Sequence, residues 1–173
     1  MKRAFDLLLA VCAVALLAGL IVIIALLVRA TSAGPALYWS ERVGKNNRTF
    51  SMPKFRSMRL GTPVVATHLL HDPDAYVTGI GRFLRKTSLD ELPQLWSILK
   101  GDMSFVGPRP ALFNQADLIA LRTRYGVHEL PLRLTGWAQV TGRDEPPILQ
   151  KVQRDLEHLR RRSFWFDLLP CFP

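Results

Sequence analysis

KTSLDELPQLWSILKGDMSFVGPRP, residues 86–110, sets two adjacent carboxylates, Asp90 and Glu91, between leucines in a basic chain. Leu92, Leu95, Trp96 and Leu99 recur at i, i+3, i+4, i+7, which predicts a helix with one buried face and puts the acidic pair at its start. Two readings compete for that pair. In the first it is a cap, because Ser88-Leu89-Asp90-Glu91 fits an S-x-x-E capping box and Asp90 is itself a candidate N-cap. Pro93 favours a helix that begins near Asp90: it then falls in the first turn, where a missing N–H costs no helical bond. In the second reading the pair is a reaction centre. Arg82, Arg85 and Lys86 precede it, and Arg109 follows between Pro108 and Pro110, a stiff frame for the group best shaped for bidentate phosphate contact. A helix N-terminus and nearby arginines both favour ionised carboxylates. An ionised Asp can attack phosphorus or ligate Mg²⁺. Local chemistry leaves both readings open.

The rest of the chain narrows the partners. At 173 residues it holds one modest core, and Lys and Arg outnumber Asp and Glu by 23 to 14, a formal +9 that favours an anionic partner. Cys12 and Cys171 lie near opposite ends, and neither they nor His68, His71, His128 and His158 show metal-ligand spacing. Gly79-Ile80-Gly81 lacks the third glycine of a dinucleotide fingerprint, and no Walker sequence occurs. The basic patches lack interleaved aromatic platforms, which makes a nucleic-acid-binding module a poor second reading. A membrane-anchored scaffold whose acidic pair only caps a helix is the other competitor.

From Leu7 to Val28 the chain carries no charge, and as a helix this run reaches roughly 33 Å, enough to cross a bilayer core. A cleaved signal peptide fits less well, since Arg29 sits where the cleavage region would begin. Lys2 and Arg3 precede the run and Arg29, Arg42, Lys45 and Arg48 follow it, so charge gives no strong orientation. The segment either spans the membrane or re-enters, and its only internal breaker is Gly19. After a turn-rich break at residues 31–35, alternation around Gly44-Lys45-Asn46-Asn47 predicts a β-hairpin with strands near Leu37–Arg42 and Thr49–Phe55. Helical patterns follow at Ile80–Leu84, Leu92–Leu99, Ala111–Tyr125 and Leu149–Arg162. Phe164, Trp165 and Phe166 after three arginines suit either a membrane interface or core packing.

KRAFDLLLA, TSAGPALYWSERVGKNNRTFSMPKFRSMR, GRFLRKTSLDELPQLWSILKGDMSFVGPRP, TGWAQVTGRDE and SFWFDL, in that order, resemble the bacterial sugar transferases, monotopic phosphoglycosyl transferases acting on polyprenol phosphate. The resemblance covers nearly the whole chain. It implies transfer of sugar-1-phosphate from a UDP-sugar to undecaprenyl phosphate with release of UMP, on the cytoplasmic face of a bacterial inner membrane. Carried over, Asp90 is the nucleophile that forms an aspartyl-phosphosugar intermediate, and Glu91 joins it in holding Mg²⁺. Arg85, Arg109 and Arg143, with Pro108 and Pro110, become substrate-binding positions; Asp102 is a weaker candidate, and Lys54 and Arg56 read chiefly as structural. Ala18-Gly19 stands where members usually have Ser-Pro, and Leu132-Arg133 where they have Pro-Gly. The expected fold is α/β and mostly helical: a membrane segment over 1–33, re-entrant or spanning, then a cytoplasmic domain over 34–173 with a short β-hairpin and amphipathic interfacial helices. The expected partners are a UDP-sugar, undecaprenyl phosphate and the lipid bilayer, with no nucleic acid; the oligomeric state, a homodimer included, stays open.

Overall fold

In the computed structural model, which describes residues 2–65, 70–135 and 147–161 (backbone alone for 133–135, 158 and 161), the uncharged run becomes the middle of one helix, α1 (Lys2–Thr31). Its 30 residues reach roughly 45 Å. By length and composition α1 can cross a membrane. It continues through Ala18-Gly19 unbroken, so no hairpin forms within it; an interior glycine weakens a helix by about 1 kcal/mol but imposes no turn.

One face of α1 is covered and the other is bare. Asp6, Ala10, Ile24 and Val28 are buried, with Ala13, Val14, Ile21 and Ala25 partly so, at three- and four-residue spacings along one side. Leu8, Val11, Leu16, Val22, Ile23 and Leu26 are exposed on the rest. Both ends rest on the same body. Near the start, Lys2 Nζ donates to the Val106 carbonyl (3.2 Å), Arg3 to those of Ile98 and Leu99 (2.6 and 2.9 Å), and Ser104 Oγ to the Asp6 carboxylate (2.8 Å). Near the end, Arg56 Nη2 donates to the carbonyl and hydroxyl of Ser32 (3.0 and 2.8 Å).

The predicted hairpin forms. β1 (Leu37–Val43) and β2 (Thr49–Phe55) pair antiparallel from Leu37↔Phe55 to Val43↔Thr49. A short 3-10 turn, Lys45–Asn47, closes it, with Asn46 and Asn47 at φ of 55° and 57°, the left-handed region that asparagine tolerates better than most residues. α2 (Pro73–Tyr76) starts on an Asp72 side-chain cap, and α3 (Gly79–Thr87) on Thr78, whose Oγ1 accepts from Gly81 N–H at 3.0 Å. Gly81 lies so close to the Ser57 carbonyl that a Cβ there would overlap it, which locks the start of α3 against the end of the hairpin.

Beyond α3 the structure departs from the predicted helices. The stretch Leu92–Leu99 is two pieces: a 3-10 helix, Leu89–Gln94, then α4 (Leu95–Lys100), stopped by Gly101 at φ 103°. β3 (Met103–Val106) follows. Ala111–Tyr125 is not one helix: Ala111 and Leu112 form β4, which pairs antiparallel with β1 through Arg42↔Leu112 and Val43↔Ala111, and α5 begins only at Ala116 and ends at Arg124. Gln115 delays it, its side-chain oxygen accepting from Leu112 N–H at 2.9 Å. β5 (Leu132–Thr135) runs parallel to β3, and α6 (Ile148–Arg161) matches its prediction closely. The sheet order is β2-β1-β4, with β3-β5 as a separate pair.

The core is shared between α1 and the body. Ala10 packs with Met52, Leu95, Ile98 and Met103, while Ile24 and Val28 pack with Phe55 and Leu84. β2, α3 and α4 are therefore pinned to α1, and they are the elements that surround Asp90. The predicted aromatic end, Phe164 to Phe166, lies outside the described residues.

Candidate active site

Ser88 sets the position of the acidic pair. Its φ of 58° is left-handed; its backbone N–H closes α3 by donating to Arg85 O at 3.4 Å, and the chain turns directly into the 3-10 helix that carries Asp90 and Glu91. The predicted capping box does not form. Ser88 makes no side-chain cap bond, Asp90 lies inside the 3-10 helix rather than at its N-cap, and only backbone N–H of Glu91 returns to Ser88 O, at 3.2 Å. Pro93 lies inside this six-residue 3-10 helix, where its nitrogen has no N–H to donate.

The carboxylates have different surroundings. Glu91 Oε1 accepts from Lys54 Nζ at 3.0 Å and from Arg109 Nη2 at 2.7 Å. Burial alone would raise its pKa, but Lys54 and Arg109, by charge and by hydrogen bond, hold it below the ordinary value, so Glu91 is firmly ionised. Asp90 is 8 % exposed and takes no hydrogen bond to its carboxylate among the described residues. Its burial raises its pKa against the pull of Lys54, with Glu91 pushing the same way as burial and Arg85 and Arg109 opposing. Arg85 and Arg109 favour the ionised form, as expected, but desolvation and the adjacent negative charge outweigh them. A carboxylate of raised pKa is the more basic and the stronger nucleophile once ionised.

Lys54 is the residue that sequence reasoning misplaced. Assigned a structural role, it instead reaches from β2 to the pair, its side chain largely buried, and burial lowers its pKa despite the attraction of Glu91, with Arg109 and Arg42 adding to the shift. A signal was present: β alternation puts Lys54 on the same face of β2 as the buried Met52, and a lysine at such a position is rarely buried without a partner. Arg56, two residues on, keeps the expected structural role as the clasp on Ser32.

Arg109 is held from behind. Pro108 and Pro110 are buried, and Arg42 Nη1 donates to Pro110 O at 3.3 Å. Arg122 Nη1 donates to Arg109 O at 2.8 Å while its Nε and Nη2 grip Asp155 Oδ2 at 2.9 and 2.8 Å. The Asp155–Arg122 pair, about nine-tenths buried on both sides, ties α6 to α5 and to the Pro-Arg-Pro frame. Neither residue had been singled out; Leu118 with Arg122, and Val152 with Asp155, share buried faces at helical spacing, which was the available clue. Asp155→Ala leaves a buried guanidinium uncompensated, so a loss of about 3–5 kcal/mol in unfolding free energy is expected, read as a lower urea midpoint in micelles.

The structure thus gathers Asp90, Glu91, Arg109 and the flanking prolines, adds Lys54, and places Arg85 in the last turn of α3, close enough to act on the charge of Asp90. Asp102 pairs with Lys100 at 3.1 Å. Arg143 lies outside the described residues. No group of three or more His, Cys, Asp or Glu that could hold a metal is present among the described residues, which offer a cation at the pair the two carboxylates Asp90 and Glu91.

A sequence profile of the bacterial sugar transferases matches residues 1–172. The chain is 36% identical, over 99% of its own length and 42% of the relative's, to a UDP-N-acetylgalactosamine-undecaprenyl-phosphate N-acetylgalactosaminephosphotransferase of Aeromonas hydrophila. It is 40% identical, over 99% of its length and 39% of the relative's, to a UDP-glucose:undecaprenyl-phosphate glucose-1-phosphate transferase of Escherichia coli K12. It spans about two fifths of those relatives. Against the exopolysaccharide production protein ExoY of Rhizobium meliloti, at 36% identity, it covers 82% of the relative.

Proposed function

Because the chain belongs to the bacterial sugar transferase family, we propose that it transfers sugar-1-phosphate from a UDP-sugar to undecaprenyl phosphate and releases UMP. The observation that carries this reading is the asymmetric pair: a buried carboxylate of raised pKa beside one clamped by Lys54 and Arg109. A capping pair would show side-chain bonds to the helix start, and it makes none.

The chemistry runs in two displacements. An Asp90 oxygen attacks the sugar-proximal phosphorus; the bond to the bridging oxygen breaks, and UMP departs with the electron pair. A phosphate oxygen of the lipid then attacks the same phosphorus and expels the Asp90 carboxylate, which leaves a polyprenyl diphosphate sugar. Arg109, half exposed at the rim, contacts the incoming phosphates, and Lys54 and Arg85 offset charge on the bound diphosphate. Pro108 and Pro110 fix the Arg109 backbone, and Arg143 is a further phosphate contact by family position.

Mg²⁺ fits the donor set. This ion commonly takes one or two carboxylates and completes its shell from water and substrate phosphate, and Asp90 and Glu91 supply two. Both cationic partners of Glu91 among the described residues engage Oε1, which would leave its other oxygen available to an ion. When bound, Mg²⁺ would neutralise charge developing on the departing phosphate.

The exposed apolar residues of α1 support a place at the bacterial inner membrane; the cytoplasmic face is proposed from the family resemblance alone. Phe83 on α3 and Trp96 on α4, both more than half exposed, fit interfacial contact. The test uses membranes carrying the protein with Mg²⁺, undecaprenyl phosphate and UDP-N-acetylgalactosamine, UDP-glucose or UDP-galactose, the sugars in the relatives' names. One of them is expected to give UMP that accumulates only while lipid phosphate lasts. Absence of UMP with every sugar overturns the reading.

A further inference from the structure

Away from the acidic pair, a cavity of about 310 Å³ opens where α1 ends and α3 begins, lined by Thr31, Ser32, Arg56, Arg59, Thr78 and Gly79 among others. Arg56 is 5% exposed, and while its Nη2 clasps Ser32, its Nε and Nη1 are buried without a hydrogen-bond partner among the described residues. Buried charged donors are rarely left unmatched. Gly34 makes room for this: its φ is 101°, and a Cβ there would run into Arg56 Nη1.

Two further features point the same way. Arg59 lines the cavity from an exposed position. Thr78 Oγ1 takes the N–H of Gly81, and the helix geometry leaves those of Gly79 and Ile80 as the unused donors of the first turn of α3. The α1 C-terminus and the α3 N-terminus contribute partial charges of about half a unit and opposite sign, which nearly cancel. Two guanidinium charges remain, and none of the lining residues is acidic.

We infer that this cavity binds a phosphate group, carried by a phospholipid headgroup. The source follows from position: exposed Val22, Ile23, Leu26 and Leu27 end just before Arg29 and Thr31, so the bare apolar face of α1 stops at the cavity mouth. A headgroup phosphate sits at that boundary when the apolar face is in lipid. The cavity lies at the start of α3, a helix about 13 Å long, whereas the acidic pair follows its end, and neither Asp90 nor Glu91 lines the cavity, which makes this a second site.

Calorimetric titration of the full chain in a phosphate-free maltoside micelle tests it, with inorganic phosphate in one arm and dihexanoyl phosphatidylglycerol, below its micelle concentration, in the other. The key variant is Gly79→Asp. Its Cβ meets nothing within 4 Å, and an acid in the first turn suits the helix, so it folds while placing a carboxylate in the cavity. Arg59→Gln, on an exposed side chain, is the second. The parent is expected to bind both probes, the lipid more tightly, and each variant to weaken both by about ten-fold or more. Tighter binding of inorganic phosphate than of the lipid overturns the headgroup assignment; equal binding by parent and variants, or none by the parent, overturns the site. No sugar nucleotide is present, so the result is independent of the transferase reading.

Discussion

Asp90→Asn is expected to reduce UMP release by about a thousand-fold or more. The change is isosteric and removes only the negative charge and the attacking oxygen. Asp90 takes no hydrogen bond to its carboxylate among the described residues, so the amide breaks no fold contact there. It also relieves the burial of a charged group, so the urea midpoint should hold or rise. The parent, mixed with UDP-sugar but no lipid phosphate, should release UMP once per active site and retain the phosphosugar, seen as a mass increase on the peptide carrying Asp90. The variant should show neither. UMP release by Asp90→Asn at the parent rate would falsify the covalent route.

Lys54→Met carries the second large effect. Lys54 is the largest of the attractions that keep the Asp90 pKa from rising further, and it hydrogen-bonds Glu91 directly. Without it, transfer should fall by about a hundred-fold, the order seen when one preorganised charge partner is lost. The pH profile separates this from a packing defect. Activity requires ionised Asp90, so kcat/KM falls on the acid side as Asp90 takes up a proton. Lys54 lowers that pKa; its removal raises it, and the acid limb of kcat/KM must move to higher pH. A rate loss with an unmoved acid limb would leave Lys54 no more than a packing residue. Stability should change little, because methionine fills the space of the lysine stem without the cost of burying an ammonium, and Glu91 keeps Arg109 at 2.7 Å.

What could be read in advance follows the range of the forces. The hairpin was legible because its alternation is local and its turn carries two asparagines suited to positive φ. The location of the acidic pair is also local. The division at Gln94–Leu95 was not, because i, i+3, i+4 spacing does not distinguish a 3-10 segment from an α-helix; the break also corrects the predicted buried face, leaving Leu95 buried but turning Trp96 outward, 58% exposed. β4 has two residues and exists only through pairing with Arg42 and Val43, far away in sequence. Lys54 and Glu91 meet across 37 residues, and Arg122 and Asp155 across 33, separations at which no periodicity speaks. Family likeness suggested the proposed roles of Asp90 and Arg109, but not Lys54, the charged partner that lies beside them. The raised pKa of Asp90 was hidden for the same reason: charges can be counted along a chain, whereas desolvation depends on packing that the chain alone does not display.

The covered face of α1 bears on how this protein can be handled. Ala10, Ile24 and Val28 are interior residues of the cores that hold β2, α3 and α4. A truncation starting after α1 would therefore uncover two apolar clefts behind the active site, and the product would trade a membrane-seeking surface for an aggregation-prone one. Solubilisation by design belongs instead on the outward residues, Leu8, Leu16, Val22 and Leu26, where polar replacement leaves both cores closed.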